Sequence, residues 1–85
     1  MRIYTVTRLE QFADHETQPN AIPFVKAYRT LQAAKKAVED DAEAEEAGDL
    51  SRWTIDETEP PTWSTSAPGG DCFYEWFIQE THLED

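Results

Sequence analysis

Between Glu39 and Glu46 six of eight side chains are carboxylates, Glu39, Asp40, Asp41, Glu43, Glu45 and Glu46, the densest group of chemically active residues in the chain. Carboxylates with histidine suit a divalent metal, and two other stretches offer that mixture. Asp14, His15 and Glu16 are adjacent, and Glu80, His82 and Glu84 alternate, so the latter three share one side of an extended strand. Neither stretch has the ligand spacing of a known zinc or manganese site, and the two are remote in sequence. The simpler reading is solvated strand ends, with no metal.

The nucleophile inventory is equally plain. Ser51, Ser64, Ser66 and Cys72 occur in no strand-turn-helix or Cys-His context that would supply an adjacent base. Gly69-Gly70 leads into a β-forming run rather than opening a helix, so it reads as a turn and not as a phosphate cradle. Acid-base pairs can always be chosen from 18 acidic residues, and without a cleft such a choice identifies no glycoside chemistry. The chain is therefore read as a non-enzyme with no cofactor.

The run Thr30 to Asp49 has the form of a helix, expected over about 30–47. Thr30 is a suitable N-cap, good helix formers follow, and Gly48 stands where a left-handed C-terminal cap is common. At 100° per residue Leu31, Ala34, Val38 and Ala42 form a narrow apolar stripe, and Glu45 then falls on the same line. The packed surface is expected to end near Ala42, with the acidic end in solvent.

Strands are expected on both sides of this helix. The first covers about 2–12, with Tyr4, Val6 and Arg8 on one face. The second, about 23–29, pairs with it and lies on an edge because Pro23 lacks an N–H. The third, about 52–58, turns Trp53 and Ile55 inward. The fourth, about 73–82, is apolar on both faces through Phe73, Tyr74, Trp76, Phe77 and Ile78, which marks a central strand. Residues 58–72 contain three prolines and two adjacent glycines and read as a long loop carrying Trp63. The expected architecture is α+β: one domain of 85 residues, a four-stranded antiparallel or mixed sheet and one helix, in the order ββαββ. Trp53 and Trp76 are assigned to the core, whereas Trp63 either folds back over it or anchors a partner.

With 18 acidic and 7 basic residues the formal net charge is −11. One cysteine precludes an internal disulfide, and no apolar run is long enough to span a bilayer. A cytoplasmic protein without membrane contact is expected.

The position of the acids is informative. Carboxylates destabilise the negative, C-terminal end of a helix, yet here they crowd that end, so local stability does not account for them. Seven acids from Glu39 to Asp49 would span roughly 15 Å of helix, about 2 Å per charge, against about 1.7 Å in duplex DNA. In size, acidity and helix-plus-sheet pattern the chain resembles the small acidic inhibitors encoded by phages, such as DNA-mimic antirestriction proteins, anti-CRISPR proteins and uracil-DNA glycosylase inhibitors. That resemblance implies an inhibitor that occupies the basic nucleic-acid-binding surface of another protein and does not itself bind nucleic acid. It carries no motif, so the expected contact residues, Glu39, Asp40, Glu43, Glu46 and Trp63, come from this chain alone. The alternatives are a salt-adapted protein whose acidity is general, or a small adaptor that binds through an edge strand and the Trp63 loop.

Overall fold

A computed structural model describes residues 1–14 and 16–83. The elements are β1 (Arg2–Phe12), β2 (Asn20–Pro23), α1 (Leu31–Ala44), β3 (Thr54–Asp56), β4 (Thr62–Pro68) and β5 (Cys72–His82). They form an α+β fold with a five-stranded, wholly antiparallel sheet in the order β2-β1-β5-β4-β3. The element order is ββαβββ rather than the expected ββαββ, because the supposed loop contains a strand.

That extra strand is β4, TWSTSAP. Trp63, Thr65 and Ala67 point one way, and Ser64 and Ser66 the other. Small side chains give a weak β-propensity, but their alternation fits a strand wedged beside a bulky neighbour. Thr65 is buried, and its hydroxyl donates to the Ser51 carbonyl at 2.7 Å, which removes the cost of enclosing it. Pro68 ends the strand, and Gly69 to Asp71 turn the chain into β5. A Cβ on Gly69 would lie 2.6 Å from the Cys72 carbonyl oxygen, so this tight turn needs glycine.

β5 is central, as its two-sided apolar pattern requires, and it pairs with β1 over the full length of both strands. β2 holds an edge, but it is Asn20–Pro23 and not 23–29. The regular ladder stops at Pro23. Beyond it the chain keeps only local contacts to β1: the Phe24 N–H donates to the Val6 carbonyl, and Tyr28 exchanges two backbone bonds with Tyr4.

α1 packs across one face of β1 and β5. Ala34, Val38 and Ala42 are buried there against Val6, Trp76 and Ile78, the stripe that the 100° spacing selects. Thr30 caps the helix, its Oγ1 accepting the Ala33 N–H at 3.1 Å. Trp53 lies partly buried against the core, with Lys35 over its ring. Ile55 corrects the expected core, because β3 is a three-residue edge strand and Ile55 stays 51% exposed.

The helix ends earlier than 47. Glu45 is the C-cap, and Glu46, not Gly48, takes the left-handed conformation at φ 55°. The Ala47 N–H donates to the Ala42 carbonyl and the Glu46 N–H to that of Glu43, the paired bonds of a Schellman turn. A Cβ in this conformation costs about 1 kcal/mol. Glu46→Gly is accordingly expected to raise stability by about 1 kcal/mol in urea unfolding, whereas Glu46→Ala, which removes the charge but keeps the Cβ, should recover a smaller part. Equal gains from both would assign the effect to charge.

No helix among the described residues is long and apolar enough to cross a membrane.

Candidate functional site

The acidic run divides into an inward and an outward set. Arg8 stands on the apolar face of β1 beside Val6, with its side chain 12% exposed. A guanidinium cannot sit there without anions, and α1 provides them. Arg8 Nη1 donates to Asp41 Oδ1 at 3.0 Å, to Asp41 Oδ2 at 2.9 Å and to Glu45 Oε1 at 3.1 Å, while Nη2 donates to Glu10 at 3.1 Å. Trp76, wholly buried opposite Arg8, donates its indole N–H to Asp41 Oδ2 at 2.9 Å. Burial alone would lower the Arg8 pKa, but the bond and charge of Asp41, with Glu45 and Glu10, outweigh it and raise it above its ordinary value.

This arrangement explains why Glu45 lies on the packing stripe: it reaches across to the sheet. Asp41 and Glu45 therefore serve the fold. Their role was foreshadowed by the position of Arg8 on the same strand face as Tyr4 and Val6, where a cation requires a carboxylate from another element.

The outward set is Glu39, Asp40, Glu43 and Glu46, all exposed. Glu39 and Glu43 are one turn apart on α1. Asp40 accepts a bond from Lys36 Nζ at 2.7 Å, and that bond, followed by the Asp40 charge, raises the Lys36 pKa. Glu46 belongs to the cap turn rather than to the last helical turn, so it stands off the line that Glu39 and Glu43 follow. Among the described residues Glu39, Glu43, Glu46 and Asp49 have no cation within 4 Å.

Trp63 is on β4 and not in a loop. Its ring meets Tyr4 edge to face at 5.9 Å, and it packs, partly buried, against the core. The structure thus separates it from the helix acids, with Trp63 packed beside Tyr4 and the acids around the C-terminal half of α1.

The other titratable clusters are small. His15 and Glu84 of the two candidate metal stretches lie outside the described residues, and among the described residues no three His, Cys, Asp or Glu side chains are grouped to hold a metal ion. Glu80 accepts from the Tyr4 hydroxyl at 3.2 Å and forms an ion pair with Arg2, whose Nε lies 3.2 Å from Oε1, lining a shallow hollow with His82 and Pro60. The Asp14 pKa is lowered by the Glu16 N–H and then by Thr17, and that of Asp56 by the N–H and hydroxyl of Thr58, as in ordinary turn caps.

Tyr74 is pushed up to about 12 by a hydrogen bond with the Cys72 side chain, then by burial and by the charges of Cys72, Glu45 and Glu10. An unfolded tyrosine titrates near 10. The folded state holds the proton longer, so this contribution to stability is complete below about pH 10 and is lost as pH rises toward 12. Circular dichroism across that range should show wild-type stability falling, with a smaller fall in Tyr74→Phe; equal slopes would exclude Tyr74 as the source.

Comparison with known protein families, curated proteins and solved structures gives no match.

Proposed function

We propose that this protein is an acidic, protein-binding inhibitor that presents the outward carboxylates of α1 to the basic nucleic-acid-binding surface of another protein, in the manner of DNA-mimic antirestriction or anti-CRISPR proteins. It acts by occupancy, without catalysis or cofactor. The observation that carries the reading is the unpaired outward set: Glu39, Glu43, Glu46 and Asp49 lack cationic partners among the described residues, and Glu43 stands in the last turn of α1, where the dipole opposes it. Glu46 also occupies a left-handed position that an acidic side chain does not favour.

With Asp41 and Glu45 turned toward Arg8 and Asp40 bound to Lys36, four outward acids lack a cation among the described residues, Glu39 and Glu43 one turn apart on α1 and Glu46 and Asp49 beyond its end. The surface suits a basic groove whose Lys and Arg side chains otherwise meet phosphates. The adaptor alternative receives less support, since Trp63 packs beside Tyr4 instead of standing free.

The test is affinity capture followed by charge reversal. Captured nucleic-acid-binding proteins should be released by added salt and by a competing DNA oligonucleotide. Glu39→Lys/Glu43→Lys should weaken binding on the order of tenfold or more, and Glu16→Lys/Glu57→Lys, an equal change at exposed residues elsewhere, should weaken it much less. Equal losses would mean that only bulk charge acts. A protein that unfolds at low ionic strength, and binds no such partner, would instead be salt-adapted.

A further inference from the structure

α1 covers one face of the sheet, and the register defines what lies on the other. Val6, Trp76 and Ile78 face the helix, so Thr7, Phe77 and Ser64, which are aligned across β1, β5 and β4, face away from it. The same alternation places Ile3, Leu9 and Phe73 on the uncovered side. Phe73 is 45% exposed, and Ile3, Leu9 and Phe77 are partly exposed.

This face differs from the rest of the molecule in charge. In a chain with 18 acidic and 7 basic residues, the register places only Asp56 and Glu75 on it among the described strands. Asp56 is on the short edge strand β3. Glu75 lies opposite Leu9 and accepts a bond from Gln11 Nε2 at 3.3 Å. The remaining positions are mainly threonine, serine, glutamine and the four large apolar residues.

We propose that this face is a homodimer interface, on which a second copy of the chain packs sheet to sheet about a two-fold axis with both helices outward. Three arguments select a second copy as the occupant. The first is electrostatic: a basic partner is drawn to the acidic helix side, whereas two copies of charge −11 can approach closely only through surfaces that carry little of that charge. Face-to-face packing puts the two acidic helices at maximal separation, on opposite outer surfaces.

The second argument is size. Five strands about 4.8 Å apart, over the seven-residue length of β4 at about 3.4 Å per residue, give roughly 570 Å² per copy. Two such faces bury about 1,140 Å², above the roughly 1,000 Å² that a biological interface should clear and in the size range of a weak, reversible one.

The third is shape. Phe77 stands between Thr7 and Ser64, and Phe73 between Gln11 and Pro68, so each large ring has shorter side chains beside it. A two-fold rotation sets the rings of one copy against the threonine and serine positions of the other, the self-complementarity that an isologous contact needs.

Sedimentation equilibrium on the intact protein from about 1 to 500 μM should show a monomer–dimer equilibrium. Raising NaCl from 0.05 to 0.5 M should tighten it, because salt screens the repulsion between copies. That sign is opposite to the one expected for partner binding by the helix acids, so failure of one reading is distinguishable from failure of the other. Thr7→Lys and Ser64→Lys should each weaken dimerisation about tenfold or more while leaving the circular dichroism spectrum unchanged. Each lowers the net negative charge, which on bulk grounds would favour association, so a loss is specific to the face. Glu43→Lys should leave the dimer intact or tighten it. A monomeric mass at every concentration and salt, or a dimer insensitive to both Thr7→Lys and Ser64→Lys, overturns the proposal.

Discussion

Trp76→Ala is expected to lower stability by about 3 to 5 kcal/mol, a large part of the 5 to 15 kcal/mol that holds a domain together. Trp76 is fully buried at the middle of the central strand, paired with Arg8 on one side and Thr65 on the other. Its ring is tilted against that of Tyr74 at 5.6 Å. Truncation leaves a cavity bounded by α1 and three strands, and it also withdraws the indole N–H from Asp41. Trp76→Phe keeps one of the two fused rings and loses the donor with the remaining ring atoms, so it should cost less than Trp76→Ala but more than the hydrogen bond alone. Urea unfolding measures both. A near-silent Trp76→Ala would sink the core assignment.

The second large effect is expected at Arg8. Arg8→Met should cost about 3 kcal/mol, because Asp41, Glu45 and Glu10 would then face one another around a partly enclosed site with no cation. The figure is at the low end of the range for broken buried pairs for two reasons: Glu45 can turn to solvent, and Arg8 Nε is buried without an acceptor among the described residues, so part of the arginine is already unsatisfied. The variant should also acquire a distinctive pH response. Without the cation the three carboxylates repel one another in the folded form, and adding protons relieves that repulsion, so acidification favours folding. Arg8→Met should therefore regain stability relative to wild type between pH 7 and about 4, as followed by thermal unfolding. A constant difference across that range would mean that the lost packing of the arginine stem, and not its charge, is what matters.

The two sites also show what could be read from residue order. The helix was legible in its N-cap at Thr30 and in the spacing of Ala34, Val38 and Ala42, because one turn of helix records both its start and its buried side. The central strand was legible in Tyr74, Trp76 and Ile78, since few other arrangements hide such residues together. β4 was not, because Ser, Ala and two flanking prolines outweigh the β-preference of its threonines and Trp63, and Thr65 is tolerated inside only through Ser51, which lies in another segment. Residues 24–29 are β-forming by type, but the ladder with β1 ends at Pro23 and only isolated backbone bonds to Val6 and Tyr4 continue it. At the helix end Gly48 was the better local choice for the cap, but Glu46 adopts it, and the penalty is a local one that composition does not reveal. For the candidate site, the exposure of Glu39, Asp40, Glu43 and Glu46 follows from the helix period. That Asp41 and Glu45 turn inward depends on Arg8, more than thirty residues earlier, and no local pattern encodes that distance.

The long ladder between β1 and β5 has a consequence for how the chain reaches this structure. Its nearest pair joins Phe12 to Cys72 and its farthest joins Arg2 to His82, so the two strands at the heart of the sheet meet only by closing a very large loop. α1 rests on both of them, and β4 has no inner neighbour until β5 is in place. The transition state must therefore absorb most of the chain-ordering entropy before the main apolar contacts form, which puts folding in the slow, millisecond-to-second regime of proteins dominated by non-local pairing. Until that closure the helix has nothing to pack against, and its crowded carboxylates repel one another without Arg8 to join them. Closing β1 onto β5 is thus the expected slow step, since the helix contacts both of these strands.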